Sequence, residues 1–330
     1  MKIFNITEND SNQRLDKFLK KLFPNASSSL IYKFNRKNKI KVNNKKEDNE
    51  YKLQIKDEVK IYLNDSEIEL LSKVEKINNN LEKTKFDRKN IVYEDSDLII
   101  INKDAGINVH PGDHKTKESN IISQVQDYLG NKLNSLTFKP SLVHRIDRDT
   151  SGILIIAKKK DILTKLTSDF KEHKNIKKFY YAIVLGKLPK NNGTIDKKIL
   201  RIENAKDENK VIISEDGQKA ITHYKVLNEF EVKSSSKNLI FSELEVEIET
   251  GRMHQIRVHL SSIGNPILGD NKYGDKALNS FLSKNYLLKR QALHSWKIQF
   301  HHYGKQKNSR FEAKIKDDLI NFLKKIKSKI

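Results

Sequence analysis

The stretch from Leu142 to Lys159 constrains this chain more than any other. A charged loop, Val143-His144-Arg145-Ile146-Asp147-Arg148-Asp149-Thr150-Ser151-Gly152, runs straight into Ile153-Leu154-Ile155-Ile156-Ala157-Lys158-Lys159. The unbroken apolar, β-branched run from Ile153 to Ala157 predicts a strand buried on both faces, and Leu142-Val143 predicts the end of another. A carboxylate flanked by Arg145 and Arg148 therefore sits at the mouth of buried strands. Guanidinium groups beside a carboxylate favour its ionised form, the form a nucleophile or a base requires. Gly152 lets the backbone pass close to whatever lies beside the loop. A lone Arg-x-Asp would read as an ion-paired turn; the full string is far more specific.

The rest of the chain divides around this stretch. Leu15, Phe18, Leu19 and Leu22 recur at helical spacing up to Pro24, and Ser27 to Ser29 offer N-caps for a second helix carrying Leu30, Ile31 and Phe34. The polar side and exit of that helix hold Lys33, Arg36, Lys37 and Lys39. Short strands are expected at Ile40–Val42, Leu53–Ile55 and Val59–Ile61, with Asn43-Asn44 as a turn. Residues 12–63 thus form a small basic module. Residues 64–90 are polar and read as a linker, partly helical from Ile68 to Val74. Residues 91–320 form the second domain, with an apolar helical stripe from Leu319 continuing to 330.

Strands are expected at Ile91–Asp95 and Leu98–Lys103, a helix over Ile162 to Phe170, and a strand from Lys177 to Leu185. Residues 191–218 are polar and read as an irregular insertion or lengthened hairpin. Leu244, Val246 and Ile248 alternate with glutamates, as in a half-buried strand. In Thr250-Gly251-Arg252-Met253-His254-Gln255-Ile256-Arg257-Val258-His259, Met253, Ile256 and Leu260 share helical spacing, and Thr250 is the expected cap. The fold class is α+β, with a mixed, mostly antiparallel sheet and helices flanking a cleft.

These motifs carry a resemblance. The central string resembles the signature of the RluA-type RNA pseudouridine synthases, His-Arg-Leu-Asp-x-x-Thr-Ser-Gly, most of all the RluC-like branch. The Thr250–His259 string, Lys178-Phe179-Tyr180, the Ile101-Asn102-Lys103 … His110-Pro111-Gly112 segment and Gly264-Asn265-Pro266-Ile267-Leu268-Gly269-Asp270 … Tyr273-Gly274 continue it. Asp104, Asn265, Ser295 and His302 stand where the family usually has Pro, His, Ala and Pro. Gln13-Arg14-Leu15-Asp16-Lys17-Phe18-Leu19 and Lys39-Ile40-Lys41-Val42-Asn43 resemble the S-four-type RNA-binding domain. The resemblance implies Asp147 as catalytic aspartate, Arg257 paired with it, and Tyr180 shaping the base pocket. It further implies that Arg145, Lys178, Arg252 and His254 bind substrate, and that Arg14, Lys33, Arg36, Lys37 and Lys39 bind RNA in the module. The implied reaction isomerises uridines in large-subunit ribosomal RNA. A transfer-RNA substrate and a non-catalytic RNA-binding or ribosome-assembly protein are the alternatives.

Composition agrees with a polyanionic partner: 64 Lys+Arg against 43 Asp+Glu give a formal charge of +21. No cysteine is present, which excludes disulfides, thiolate metal sites and a cysteine nucleophile. His110 and His114 have helical metal-pair spacing, but Pro111 and Gly112 lie between them, so no metal site is expected, and no cofactor. A kinase would need a Gly-rich loop and Asp-Phe-Gly; Asp169-Phe170 is followed by Lys171. With neither a signal pattern at the start nor an apolar run of about 18 residues, a cytoplasmic monomer without membrane or protein partner is expected.

Overall fold

A computed structural model describes residues 1–72, 85–110, 120–130, 135–202, 210–232 and 238–328. His114 and the end of the C-terminal stripe at Ile330 lie outside them, as do Lys73 and Val74 of the expected linker helix. Among the described residues no helix is long and apolar enough to cross a membrane.

The first unit comprises β1 (Lys2–Asn5), α1 (Leu15–Leu22), α2 (Ser28–Arg36), β2 (Ile40–Val42), β3 (Glu58–Ile61) and α3 (Asp65–Ser72). The three strands form an antiparallel sheet in the order β1-β3-β2. The Ser27 side chain accepts the Leu30 N–H and starts α2. Asn43 and Asn44 turn β2 with φ values of 50° and 66°, a left-handed conformation asparagine tolerates. Three expectations need correction. Leu53–Ile55 is not a strand; Leu53 is buried, but the local pairing is one isolated bridge between Arg14 and Lys52. The helix expected within the linker runs over Asp65–Ser72, but it belongs to the unit, because Ile68 and Leu71 bury their side chains in its core. That same core takes in Phe4 and Ile6, so it reaches beyond residues 12–63 on both sides.

The second unit follows as β4 (Ile91–Glu94), β5 (Leu98–Lys103), α4 (Ile121–Leu129), β6 (Ser141–Leu142), β7 (Ser151–Ala157), α5 (Lys160–Glu172) and β8 (Lys177–Leu185). Then come β9 (Asn192–Asp196), β10 (Ile199–Ile202), β11 (Lys210–Ile213), β12 (Ile221–Val232), β13 (Leu239–Ile248), α6 (Gln255–Ser261), α7 (Lys276–Tyr286), β14 (Leu293–His302), β15 (Lys307–Glu312) and α8 (Asp317–Lys327). One sheet runs β4-β5-β7-β14-β8-β13-β12-β9, with β6 beside β7 and β15 beside β14. Among the described residues only β7 and β14 pair in parallel; the fold is α+β and the sheet mostly antiparallel. Within 191–218 the described residues form β9 on the sheet edge and a separate antiparallel β10–β11 pair, which agrees with the lengthened-hairpin alternative and not with an irregular insertion.

Patterning explains the two halves. β5 and β7 are buried on both faces, so they read as continuous apolar runs. Leu98, Ile100, Ile153 and Ile155 pack with Ile162 and Leu166 of α5, while Ile99, Ile101, Leu154 and Ile156 pack with Val125 and Leu129 of α4. In β13 Phe241, Leu244, Val246 and Ile248 enter the core, and the alternating Glu243, Glu245 and Glu247 lie half-buried on the other face. The halves join where Ser151 and Gly152 of β7 meet His294 and Ser295 of β14. Gly152 has φ +111°, and a Cβ there would lie 2.1 Å from the Ser295 carbonyl oxygen, so no side chain fits.

The units dock through a buried carboxylate. Asp10, with no exposed surface, accepts hydrogen bonds from the Leu136 and Thr137 amides and from the Ser135 and Thr137 hydroxyls, at 2.8–3.1 Å.

Candidate active site

The charged loop is pinned at both ends. Val143 and Ile146 are buried while Arg145 and Arg148 are exposed, and the Thr150 amide donates to the Asp147 carbonyl at 3.2 Å. Beneath it lies Lys103 at the end of β5, with no exposed surface. Its ammonium donates to the carbonyls of Asp104, Ile107 and Arg148 at 2.8–2.9 Å. Burial pushes Lys103 down to about 7, partly offset by the Asp149 charge. Three carbonyl acceptors nevertheless match the three donors of an ammonium, and a neutral amine would leave one unmet. On the other side Arg290 donates to the Asp149 carbonyl at 3.4 Å and to the Ser151 hydroxyl at 3.1 Å, and its Nε is held by Asp318 at 2.6 Å. Asp104 itself accepts from Asn90 and pairs with Lys316 at 2.6 Å.

Asp147 projects from this loop with its side chain 29% exposed. The guanidinium that reaches it is Arg257, whose Nη1 donates to Oδ2 at 2.8 Å. Arg148 instead sends its Nε to the Gly106 carbonyl at 3.1 Å. Arg257 stands on α6, a seven-residue helix in which every residue from Gln255 to Leu260 is buried. Thr250 does not cap this helix. The cap position is His254, in a left-handed conformation at φ 52°, while Thr250 donates its hydroxyl to the Gln255 side chain at 2.7 Å. Gln255 also accepts the Arg252 amide and donates to Ile221 and Thr222, tying the helix start to β12.

Arg257 has a second acidic partner that the sequence reading left without a role. Asp270 takes its Nε at 2.7 Å and its Nη2 at 2.9 Å, a bidentate pair with no exposure at Asp270. Burial works against the cation, but the Asp270 and Asp147 charges outweigh it and push Arg257 up. Burial likewise opposes the Asp270 anion, and the Arg257 bond together with the Lys272 and Tyr273 amides holds its carboxyl below the usual range. The signal was present in the sequence: an acid directly after the apolar turn Pro266-Ile267-Leu268-Gly269, where burial without a cation would be prohibitive.

Tyr180 on β8 is 8% exposed; burial, then the nearby Asp147 charge, push its phenol up, so it stays neutral. A cleft of about 450 Å³, counting its open side, is lined by Asp147, Tyr180, His254 and Arg257, with Arg145 and Arg252 at its exposed lip. Lys178 does not line it. It is buried behind the cleft, donates to the Thr250 carbonyl at 3.4 Å and stands over the Phe170 ring, and burial pushes it down to about 8. His144, next to Arg145, is also internal: its ring stacks on Phe170 at 4.8 Å, accepts the Ile155 amide, and is pushed down to about 3 by burial and Lys178.

The basic residues of the first unit do not line the cleft. Lys33, Arg36 and Lys37 are exposed on α2 and its exit. Arg14 is held by Asp16 at 2.9 Å and Glu50 at 2.9 Å, and Lys39 lies 3.8 Å from Glu67. Away from the cleft, Asp95, Asp97 and His302 bring three potential ligand atoms within 4.8 Å of one another. His302 Nδ1 accepts the Lys305 amide at 3.2 Å, which places the proton of a neutral ring on Nε2, 3.0 Å from Asp95.

A family model described as RNA pseudouridylate synthase matches residues 97–262. The chain is 37% identical to a ribosomal large subunit pseudouridine synthase C of Buchnera aphidicola subsp. Baizongia pistaciae (strain Bp), covering 92% of this chain and 90% of the relative. It is 34% identical to the protein of that name from Haemophilus influenzae (strain ATCC 51907 / DSM 11121 / KW20 / Rd), over 99% and 95%. The solved structure of human RNA pseudouridylate synthase domain containing 4 shares the fold, with TM-score 0.56 and 24% identity over 72% of this chain and 93% of that one.

Proposed function

The chain belongs to the RNA pseudouridylate synthase family, and we propose that it isomerises uridines of large-subunit ribosomal RNA, with Asp147 as the catalytic carboxylate. The observation that carries this is the 2.8 Å bond from Arg257 to Asp147, at a cleft whose wall includes the neutral phenol of Tyr180. The substrate class is supported by the names of the relatives that match nearly the whole chain, and by the +21 charge.

The reaction breaks the bond from ribose C1′ to uracil N1, turns the base, and joins C1′ to C5. The C5 proton leaves and N1 gains one. An anionic carboxylate serves either as nucleophile at C1′ or as base at C2′. The uridine must first leave its stack, which costs about a few kcal/mol. Arg145 and Arg252 at the lip suit the RNA backbone, and the Tyr180 ring suits the displaced base. Lys33, Arg36 and Lys37 extend the RNA surface onto the first unit. We assign the protein as a monomer working in the cytoplasm.

The test is tritium release from C5-labelled uridine in ribosomal RNA. Asp147→Asn should fall to background while keeping RNA binding and melting temperature, because phosphate contacts come from lysine and arginine. Asp149→Asn, exposed and bonded through its carbonyl, should keep most of the rate. Normal release by Asp147→Asn, or loss only in Asp149→Asn, would overturn the assignment. Mapping pseudouridine in ribosomal and transfer RNA with and without the protein tests the substrate.

A further inference from the structure

Beside Asp147 a chain of hydrogen bonds runs out of the cleft into the β10–β11 hairpin. The Tyr273 hydroxyl accepts the Val211 amide at 3.1 Å and lies 2.9 Å from His254 Nδ1. A phenol has one proton. With its oxygen taking the Val211 N–H, the phenol finds an acceptor for that proton in Nδ1, and in this arrangement Nδ1 is the bare nitrogen of the ring. The imidazole proton is left on Nε2, the atom that faces Asp147 Oδ2 at 3.9 Å.

We infer that Tyr273 is a positioning residue that locks His254 as the Nε2–H tautomer, so that the ring presents a hydrogen-bond donor, not a base, to the cleft beside Asp147. The 3.9 Å gap is too long for a direct hydrogen bond and leaves space for a polar atom of the substrate or a slight closure of the ring onto the carboxylate. Tyr273 is itself over-determined. Its amide donates to Asp270 at 3.2 Å, its carbonyl accepts from Ser261 at 2.9 Å, and its ring lies under the Arg257 guanidinium at 5.2 Å and edge-on to His254 at 5.6 Å. The hairpin cannot retreat either, since Val211 and Ile199 pack on Val258 of α6 and on Tyr273. Burial holds the His254 ring neutral, pushed down to about 4; the Asp147 charge opposes this, and Arg257 and Lys272 reinforce it. The left-handed backbone of His254 aims the ring between Tyr273 and Asp147.

The role beside Asp147 rests on the proposed function, but the tautomer does not, so the two can fail separately. In full-length protein with ¹⁵N-labelled histidine at neutral pH, His254 should show a bare Nδ1 and a protonated Nε2; its signals are assigned by their loss in His254→Gln. Tyr273→Phe keeps the ring and its packing and removes only the hydroxyl. It should mix the two tautomers and lower kcat roughly tenfold, the weight of one net hydrogen bond, with KM little changed. A proton on Nδ1 in the wild type overturns the inference without any variant. So does Tyr273→Phe with an unchanged tautomer and unchanged kcat. A correct tautomer in a protein that isomerises no uridine would sink the functional reading and leave the lock intact.

Discussion

Removing the charge of Asp270 should unfasten Arg257 and, through it, Asp147. In the native site Arg257, 9% exposed, spends two N–H groups on Asp270 and one on Asp147. Breaking a buried ion pair from one side costs about 3–5 kcal/mol, because the remaining charge stays buried. Asp270→Asn keeps the volume and one acceptor oxygen, which returns about 1 kcal/mol of hydrogen bonding. The expected loss is therefore about 2–4 kcal/mol, or roughly 5–10 °C in Tm for a domain of this size. The catalytic effect should be larger. A misplacement of about 1 Å can cost on the order of a hundredfold in rate, and Arg257 without its bidentate anchor is free to rotate by that much. Differential scanning fluorimetry and tritium release measure the two effects. The double variant Asp270→Asn/Arg257→Met should be more stable than Asp270→Asn alone, since it leaves no cation unmet. Wild-type Tm and kcat in Asp270→Asn, or additive losses in the double variant, would refute the clamp.

Replacing Lys33, Arg36 and Lys37 together by Ala should weaken ribosomal RNA binding and flatten its salt dependence by about two units of slope, with kcat on a short RNA unchanged; an unaltered slope would remove α2 from the interface. Burial opposes the Asp10 anion, but donors from Leu136, Thr7 and Thr137 outweigh it and hold its carboxyl below the usual range. Its contribution to docking is then complete above the unfolded value of about 4 and is lost as pH falls through the folded one; limited proteolysis of the first unit should accelerate on acidification in the wild type, and already at neutral pH in Asp10→Asn.

The elements legible in the sequence were those whose burial leaves a periodic trace. β5 and β7 are covered on both faces and read as unbroken apolar runs, and β13 is covered on one face and alternates. β1 and β9 are short strands whose pairing is set by partners far along the chain, and β10 and β11 are four-residue strands set within the polar stretch 191–218. α3 carries only two buried residues in eight, too few to distinguish a docked helix from a linker. The Leu53–Ile55 error has the same root: Leu53 is buried under a turn, and burial alone does not make a strand. The site behaves similarly. A motif names Asp147, Tyr180 and Arg257, but Lys103 reaches the Arg148 carbonyl across 45 residues and Arg290 reaches Asp149 across 141, and no local pattern announces either.

Those unannounced residues share one physical task, and their arrangement explains how Asp147 can be both held and available. On the proposed reading, every strong support acts on something other than the oxygen that would react. Lys103 and Arg290 grip the carbonyls of Arg148 and Asp149, fixing the loop on either side. Asp270 takes the bidentate face of Arg257, so the arginine is positioned without drawing on Asp147. Asp147 then receives a single N–H, on Oδ2, and among the described residues no protein donor is bonded to Oδ1. A carboxylate forked symmetrically by an arginine has both oxygens engaged and is a poor nucleophile or base; one held at a single oxygen keeps a lone pair for the substrate. On the proposed reading, the buried Asp270–Arg257 pair supplies the rigidity and the charge in advance, which is how a preorganised site avoids reorganising during reaction. On that reading the acid at 270 serves the chemistry by holding Arg257 in place for the acid at 147.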